Sequence, residues 1–252
     1  MEQDQWQEAE ALLAQAVEAC PSDPESRRHY ARALWHRGMG PKAVAQLEEA
    51  GRLGGDDATL HVAMAEMRLA MGDSENAWQS AQRGLSLDPK LASGWATRGR
   101  VMRAAGEPRR ALADYHRALG LAPDDRTIQL EIAELYRELN QPQRALAALQ
   151  VLADSYPPGE EPQRVLYLQG LACMALARYD DAVESFSAAS IRERPAPEVL
   201  WRLGEAELLA GHPVEAEAAA RQALCLNPKH QPSRKLLERV GLAMRHDGTL
   251  KR

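Results

Sequence analysis

Small and apolar residues recur along this chain at helical spacing, in blocks broken by short segments carrying Gly, Asn or Pro. Residues at i, i+3, i+4 and i+7 share one face of an α-helix, so each block predicts an amphipathic helix. The stretch from Ala92 to Asp125 shows the pattern most fully. A first helix over roughly 92–105 carries Trp95, Gly99 and Met102. A turn follows at Gly106-Glu107-Pro108, then a second helix over roughly 108–121 with Ala111, Tyr115 and Ala118, and Pro123 after it. Proline costs little at a helix start, where its missing N–H would be unpaired anyway, and it cannot continue a helix that has ended.

The rest of the chain repeats this unit. Pro21, Gly55, Pro89, Pro123 and Pro157 lie 34 residues apart, as do Arg194 (beside Pro195) and Pro228. The interval from Pro157 to Arg194 is 37, so three residues are inserted, and they fall in the turn-rich run 156–162. First helices carry Ala31, Ala65, Gly99, Ala133, Gly170 and Gly204 in register. Seven residues on stand Gly38, Gly72, Gly106, Asn140, Ala177 and Gly211. Gly and Asn tolerate the left-handed conformation that ends a helix, so Ala177 predicts a differently built turn. Second helices carry Ala43, Ala77, Ala111, Ala145, Ala182 and Ala216, then Leu47, Ala81, Tyr115, Leu149, Phe186 and Ala220. Three residues further come Ala50, Gly84, Ala118, Leu152, Ala189 and Ala223.

Composition supports an all-α reading. Aromatics are 5% of the 252 residues, with a single Phe, so a core must be filled by Ala, Leu and Gly. Close helix contacts suit those residues, whereas a sheet prefers β-branched and aromatic ones. A net charge of −5 argues against nucleic acid, which needs clustered Lys and Arg. Cys20, Cys173 and Cys225 are odd in number and irregular in spacing. They suggest small buried apolar residues rather than a disulfide framework or metal site. No run of 18 apolar residues exists, so no membrane span is expected. The polar, acidic N-terminus is not a signal peptide, and the expected location is cytoplasmic.

The combined pattern resembles the tetratricopeptide repeat (TPR) family: a 34-residue unit with Trp or Leu at position 4, Gly or Ala at 8, Tyr at 11, Ala at 20, an aromatic at 24, Ala at 27 and Pro at 32. Trp95, Gly99, Ala111, Tyr115, Ala118 and Pro123 match position by position. The resemblance implies a right-handed α-solenoid of stacked helix-turn-helix units: 24–57, 58–91, 92–125, 126–159, 163–196 and 197–230. Before them, residues 1–23 fit the second helix of a further unit, with Trp6, Ala9, Leu13, Ala16 and Pro21 in register. The chain thus starts mid-repeat, as it would if it were trimmed or if an upstream signal or lipid anchor were missing. After the repeats, 231–244 predicts a solvent-facing capping helix with Arg234, Lys235, Glu238 and Arg239 spread over it, and 245–252 a frayed tail.

Candidate chemistry is sparse. The chain lacks H-E-x-x-H, G-x-S-x-G and a P-loop, so no enzyme, cofactor or metal is expected. His29 and His36 share a helix face but suit solvated or groove-lining roles, and Asp180-Asp181 suits a helix start. In TPR stacks the first helices line a concave groove, and family geometry turns positions 2, 5, 9 and 12 inward. Here those positions hold Arg28, Arg32 and Trp35, then Arg100 and Arg103, and later Tyr167, Leu171, Met174 and Trp201. Arginine pairs bidentately with carboxylates and stacks on aromatic rings, and an apolar groove marks protein binding. The expectation is a non-enzymatic scaffold holding a peptide or protein segment, acidic over the arginines and apolar over Tyr167 and Trp201. The alternative is the repeat arm of a larger protein, such as an envelope assembly factor or an enzyme's substrate-recruiting domain. Equally open is that both sets merely pack or solvate the helices.

Two family subtypes are disfavoured. The carboxylate clamp of co-chaperone members fits Arg28 but not Arg32, Ala63, Ser93 or Thr97, and the groove carries no ladder of Asn. Arg98 is a departure, standing where Ile132 and Leu203 stand in other units. It is expected to extend along its helix or to pair with Glu131 or Glu134 of the next unit.

Overall fold

The computed structural model describes residues 2–192 and 196–246. The register marks Arg194 and Pro195, Met1, and the tail from 247 onward lie outside the described residues. Among the described residues the chain is all-α. The helices are α1 (Glu2–Ala19), α2 (Pro24–His36), α3 (Gly40–Ala50), α4 (Ala58–Ala70), α5 (Ser74–Leu87), α6 (Ala92–Ala104) and α7 (Pro108–Leu121). They continue as α8 (Arg126–Glu138), α9 (Pro142–Asp154), α10 (Gln163–Ala175), α11 (Tyr179–Arg192), α12 (Pro197–Ala210), α13 (Pro213–Leu226) and α14 (Gln231–His246). The chain divides into two compact units, residues 1–128 and 129–252. Each is a stack of helical hairpins, the architecture of an α-solenoid.

Local chemistry sets the helix ends. Asp23 caps α2 by accepting from the Ser26 N–H at 2.9 Å, and Asp57 caps α4 by accepting from the Leu60 N–H at 2.9 Å. Prolines stand in the first turn of α2, α3, α7, α9, α12 and α13. Between α3 and α4 the chain makes one wide π-type turn, Gly51–Gly55, in which Gly54 takes φ +102°.

The turn within each of the six hairpins has one geometry. Gly38, Gly72, Gly106 and Gly211 take φ between +74° and +90°, and Asn140 and Ala177 take +54° and +55°. The turn at Ala177 is therefore built like the others, contrary to the expectation from its residue type. The Arg178 N–H donates to the Cys173 carbonyl at 2.9 Å, as the Glu107 N–H does to Met102. Those bonds hold the left-handed conformation whatever residue occupies it.

Packing within the hairpins depends on size matching between first and second helix. A Cβ built on Gly99 would lie 2.7 Å from the ring of fully buried Tyr115, and one on Gly170 would lie 2.6 Å from the ring of Phe186. Where the first helix carries Ala31 or Ala133, the second carries Leu47 or Leu149, buried in the same cluster. The last hairpin pairs Gly204 with small Ala220, and Leu236 of α14 fills the space, 2.9 Å from a Cβ at Gly204. Thus α14 covers an apolar face with Leu236, Val240 and Met244, while Arg234, Lys235, Glu238 and Arg239 stay exposed. At the other end α1 docks on α2: Trp6 stacks on His36 at 3.9 Å, and Arg37 reaches Glu10 at 3.1 Å.

Two expectations are corrected by the packing. Only Cys173 is buried; Cys20 follows the end of α1 and Cys225 sits on the outer side of α13, both exposed. Arg98 pairs within its own hairpin, donating from Nε and Nη2 to both oxygens of buried Asp114 at 2.8 Å, and from Nη1 to Gln82 at 2.8 Å. The carboxylate that receives it is thus on α7. The Trp95 ring lies 4.5 Å from Arg98 and 4.7 Å from Arg117, so the aromatic plane shields the ion pair.

Gly99→Ala is expected to cost roughly 1–3 kcal/mol in denaturant unfolding, because the Tyr115 ring has no room to retreat. Adding Tyr115→Leu should recover part of that loss. Ala177→Gly is expected to stabilise the chain by about 0.5–1 kcal/mol, since left-handed strain of about 1–2 kcal/mol outweighs glycine's extra chain entropy. Thermal melts of the single variants check both signs.

Candidate functional site

In the second unit the candidate site is built by α10 and α12. Tyr167 follows Gln163 and Arg164 by one helical turn, and Leu171 and Met174 continue the same face. All three apolar residues are half-buried, packed beside a core of Ala172, Cys173 and Phe186. The Tyr167 and Phe186 rings meet tilted, with centroids 5.7 Å apart. Gln163 donates to the Ala189 carbonyl at 2.9 Å and so ties the start of α10 to α11.

A cavity of about 300 Å³ opens here, lined by Gln163, Arg164, Tyr167, Glu198 and Val199. The Tyr167 hydroxyl donates to Glu198 at 3.4 Å. Burial, followed by the Glu198 charge, raises the pKa of the Tyr167 hydroxyl and keeps it protonated. Glu198 also faces Arg202 and His230, each at 3.6 Å, while Arg164 donates to Glu134 at 2.8 Å. Half-buried Trp201 follows the lining residue Glu198 by about one turn of α12, with the Arg202 guanidinium 4.0 Å from its ring centre and the His230 ring edge-on at 6.2 Å. Tyr167 and Trp201 are thus linked through Glu198, which accepts from Tyr167 and faces the His230 ring that packs edge-on against Trp201.

In the first unit the arginines meet a different environment. Arg28 donates to the Gly55 carbonyl and reaches Asp57 at 2.5 Å, with its side chain 19% exposed. It thereby clamps the wide turn to the N-terminus of α4. Burial pushes the Asp57 carboxyl upward, but the Leu60 N–H, the Thr59 hydroxyl and the Arg28 guanidinium together hold it at about 2. Arg100 pairs with Glu66 at 3.2 Å, and Thr97 donates to the same oxygen at 3.1 Å. Arg103 is half-buried. Trp35 is half-buried against Leu34, Leu47 and their cluster. Arg32 is exposed and has no carboxylate partner among the described residues. No group of three metal-binding side chains occurs among the described residues, and no described helix is long and apolar enough to cross a membrane.

A tetratricopeptide repeat family model matches residues 1–67 and 102–168, more than half of the chain, and a second model of the same description matches 167–231. The chain is a tetratricopeptide repeat protein. No curated protein matches it. Among solved structures it is similar to YrrB, described as a TPR protein with an unusual peptide-binding site, at 17% identity over 75% of this chain and 96% of that one, TM-score 0.65. It is similar to Pseudomonas aeruginosa pilF at 13% identity over 86% and 97% of the two chains, TM-score 0.72. It is also similar to PilW, described as a widely conserved type IV pilus biogenesis factor, at 17% identity over 85% and 98%, TM-score 0.72. These likenesses share a fold with the TPR chain.

The TPR register located Tyr167, Leu171, Met174 and Trp201 on their helix faces. It missed Gln163, Arg202 and His230, which lie next to inward positions and reach the surface through their length. His230 ends the last unit, where its Nδ1 lies 2.8 Å from buried Ser233. The bulky pair Tyr167 and Trp201 was the available signal that such neighbours would be needed.

The Asp57 carboxyl is depressed in the folded chain, so it contributes stability above its unfolded pKa of about 3.9, lost as pH falls towards 2. Half-exposed to solvent, that contribution is screened to about 1 kcal/mol at most. Asp57→Asn keeps the cap but not the charge. It should be less stable by up to about 1 kcal/mol at pH 7 and equal to the parent near pH 2, as pH-dependent denaturant titration will show.

Proposed function

We propose that this TPR scaffold holds a peptide or protein segment on the first-helix face of its second unit, with Tyr167, Leu171, Met174 and Trp201 receiving apolar side chains. The observation that carries the reading is the cavity beside Tyr167. It lies between two successive first helices, its lining joins Tyr167 and Val199 to the polar Gln163, Arg164 and Glu198, and Trp201 follows Glu198 by about one turn of α12. Aromatic anchors of this kind dominate binding energies when a partner covers them, while the surrounding polar groups fix orientation. Glu198 and Arg164 have fixed partners and half-exposed heads, so Glu198 suits accepting from a bound backbone N–H and Arg164 suits donating to a bound carbonyl. The chemistry needed is recognition alone, and the reading assigns no bond-making step.

The arginine set in the first unit takes a smaller part. Arg28 and Arg100 already face Asp57 and Glu66, and Trp35 is committed to packing. An acidic group on the partner meets Arg32 first, and Arg103 lies two hairpins further on, on α6. The alternative of a repeat arm recruiting for a larger protein uses the same face and differs in what the face is joined to.

Selection from a random peptide library displayed on phage tests the reading. The intact chain should enrich peptides with aromatic or large aliphatic anchors. The Tyr167→Ala/Trp201→Ala variant should bind the enriched peptides at least about 30-fold more weakly, the loss expected for two buried anchors. Equal binding by both proteins, with the variant folded by circular dichroism, would contradict the proposal.

A further inference from the structure

The outer faces of the second helices carry a second pattern, unrelated to the groove. In every hairpin the same six positions point outward from the second helix. Four of these faces carry both signs of charge: Lys42 with Glu49 on α3, Glu75 with Arg83 on α5, Arg144 with Asp154 on α9, and Glu215 with Arg221 on α13. The other two are segregated. The α7 face reads Arg109, Arg110, Ala113, His116, Arg117 and Gly120, with cations and no acid. The α11 face reads Asp180, Asp181, Glu184, Ser187, Ala188 and Ile191, with acids and no base.

From this complementarity we infer that the α7 face of one chain docks on the α11 face of a second copy. Arg110 and Arg117 are 75% and 60% exposed while pairing with Glu107 at 2.6 Å and Asp114 at 3.8 Å, and Arg109 has no partner among the described residues. On α11, Glu184 is exposed without an ion pair among the described residues. It borders a cavity of about 360 Å³ lined by Gln150, Gln169, Leu146 and Leu166, where Asp181 and Glu161 already pair with Arg178 and Arg192, which leaves Glu184 as the lining carboxylate without an ion pair among the described residues. Carboxylate and amide oxygens over aliphatic walls suit a guanidinium on its methylene stem. Laid parallel and unit on unit, Asp180 and Asp181 meet Arg109 and Arg110. Ile191, an apolar side chain 76% exposed, then falls on Gly120, where nothing lies within 4 Å of a Cβ.

The two faces differ, so each copy offers one of each, and association does not stop at two unless the ring closes. Other anions fit α7 less well. Its three arginines span about 12 Å of helix, short of the six to ten phosphate contacts of strong nucleic-acid binding. The face also lacks the apolar residues by which helices enter a membrane surface.

Sedimentation of the full chain tests the inference, from about 10 μM to about 1 mM, the range of weak contacts. At about 0.02 M salt the mean mass should rise with concentration, and at about 0.5 M it should fall to the monomer, because surface charge pairs are screened. Arg109→Glu/Arg110→Glu and Asp180→Arg/Glu184→Arg should each be monomeric alone and associate in equal proportion, as alternating copies, when mixed. The chain carrying all four changes should associate again. The uncharged variants Arg109→Gln/Arg110→Gln and Asp180→Asn/Glu184→Gln, folded by circular dichroism, should also be monomeric. A monomer at every concentration, association indifferent to these charges, or binding of RNA or anionic vesicles through α7 without self-association overturns the inference.

Discussion

The close approach of first and second helix within each hairpin is the constraint on which this structure depends. Tyr115 and Phe186 are fully buried because Gly99 and Gly170 leave no side chain in their way. Four of the six hairpins bury a ring or a leucine against a small residue, the second and last pair small with small, and each stack then adds one hairpin's apolar face to the next. A repeat chain with few aromatics uses this device to gain a core from Ala, Leu and Gly. The cost is sensitivity, since interiors at native density feel a single methyl group. Once the hairpins are fixed, the inward positions of the first helices and the outward positions of the second helices are fixed with them. Function is then left to residues that the packing does not require.

Those residues differ between the two units. In the first, the excess arginines are largely absorbed. Arg28 ties the wide turn at Gly51–Gly55 to α4, and Arg98 completes a buried pair with Asp114 under the Trp95 ring. Removing one partner of such a pair leaves an uncompensated charge, so these arginines hold local geometry more than they await a ligand. In the second unit, Tyr167 and Trp201 are half-buried, and Tyr167 lines a cavity whose polar residues Arg164 and Glu198 already have partners. That contrast shifts the weight of the functional reading from arginine to aromatic residues.

Much of the fold was legible in the sequence because its signals are periodic. The 34-residue spacing, the small residue on each first helix and the Gly or Asn seven positions later give the hairpins and their turns. Ala177 was misread because residue type was taken to decide the turn, whereas the helix-ending hydrogen bonds decide it. The partner of Arg98 was misread because pairing follows space. Asp114 stands 16 residues away, where other units carry Gln46, Ser80 or Ala148, and a charge at that place in the same unit was the available clue. Arg28 was harder to read, since its partners depend on a wide turn where a glycine, Gly55, replaces the usual proline. The half-buried state of Tyr167 and Trp201 lies in tertiary packing, which periodicity alone does not report.

The account's central claim is that the first-helix face of the second unit is where a partner segment lies. Chemical-shift mapping with a library-selected peptide measures this most directly. The account predicts shifts at the Trp201 indole, Tyr167, Leu171 and Met174, with the outward residues of α9, α11 and α13 unmoved. Shifts confined to those second helices, with the Trp201 indole and Tyr167 unchanged at saturating peptide, would contradict it.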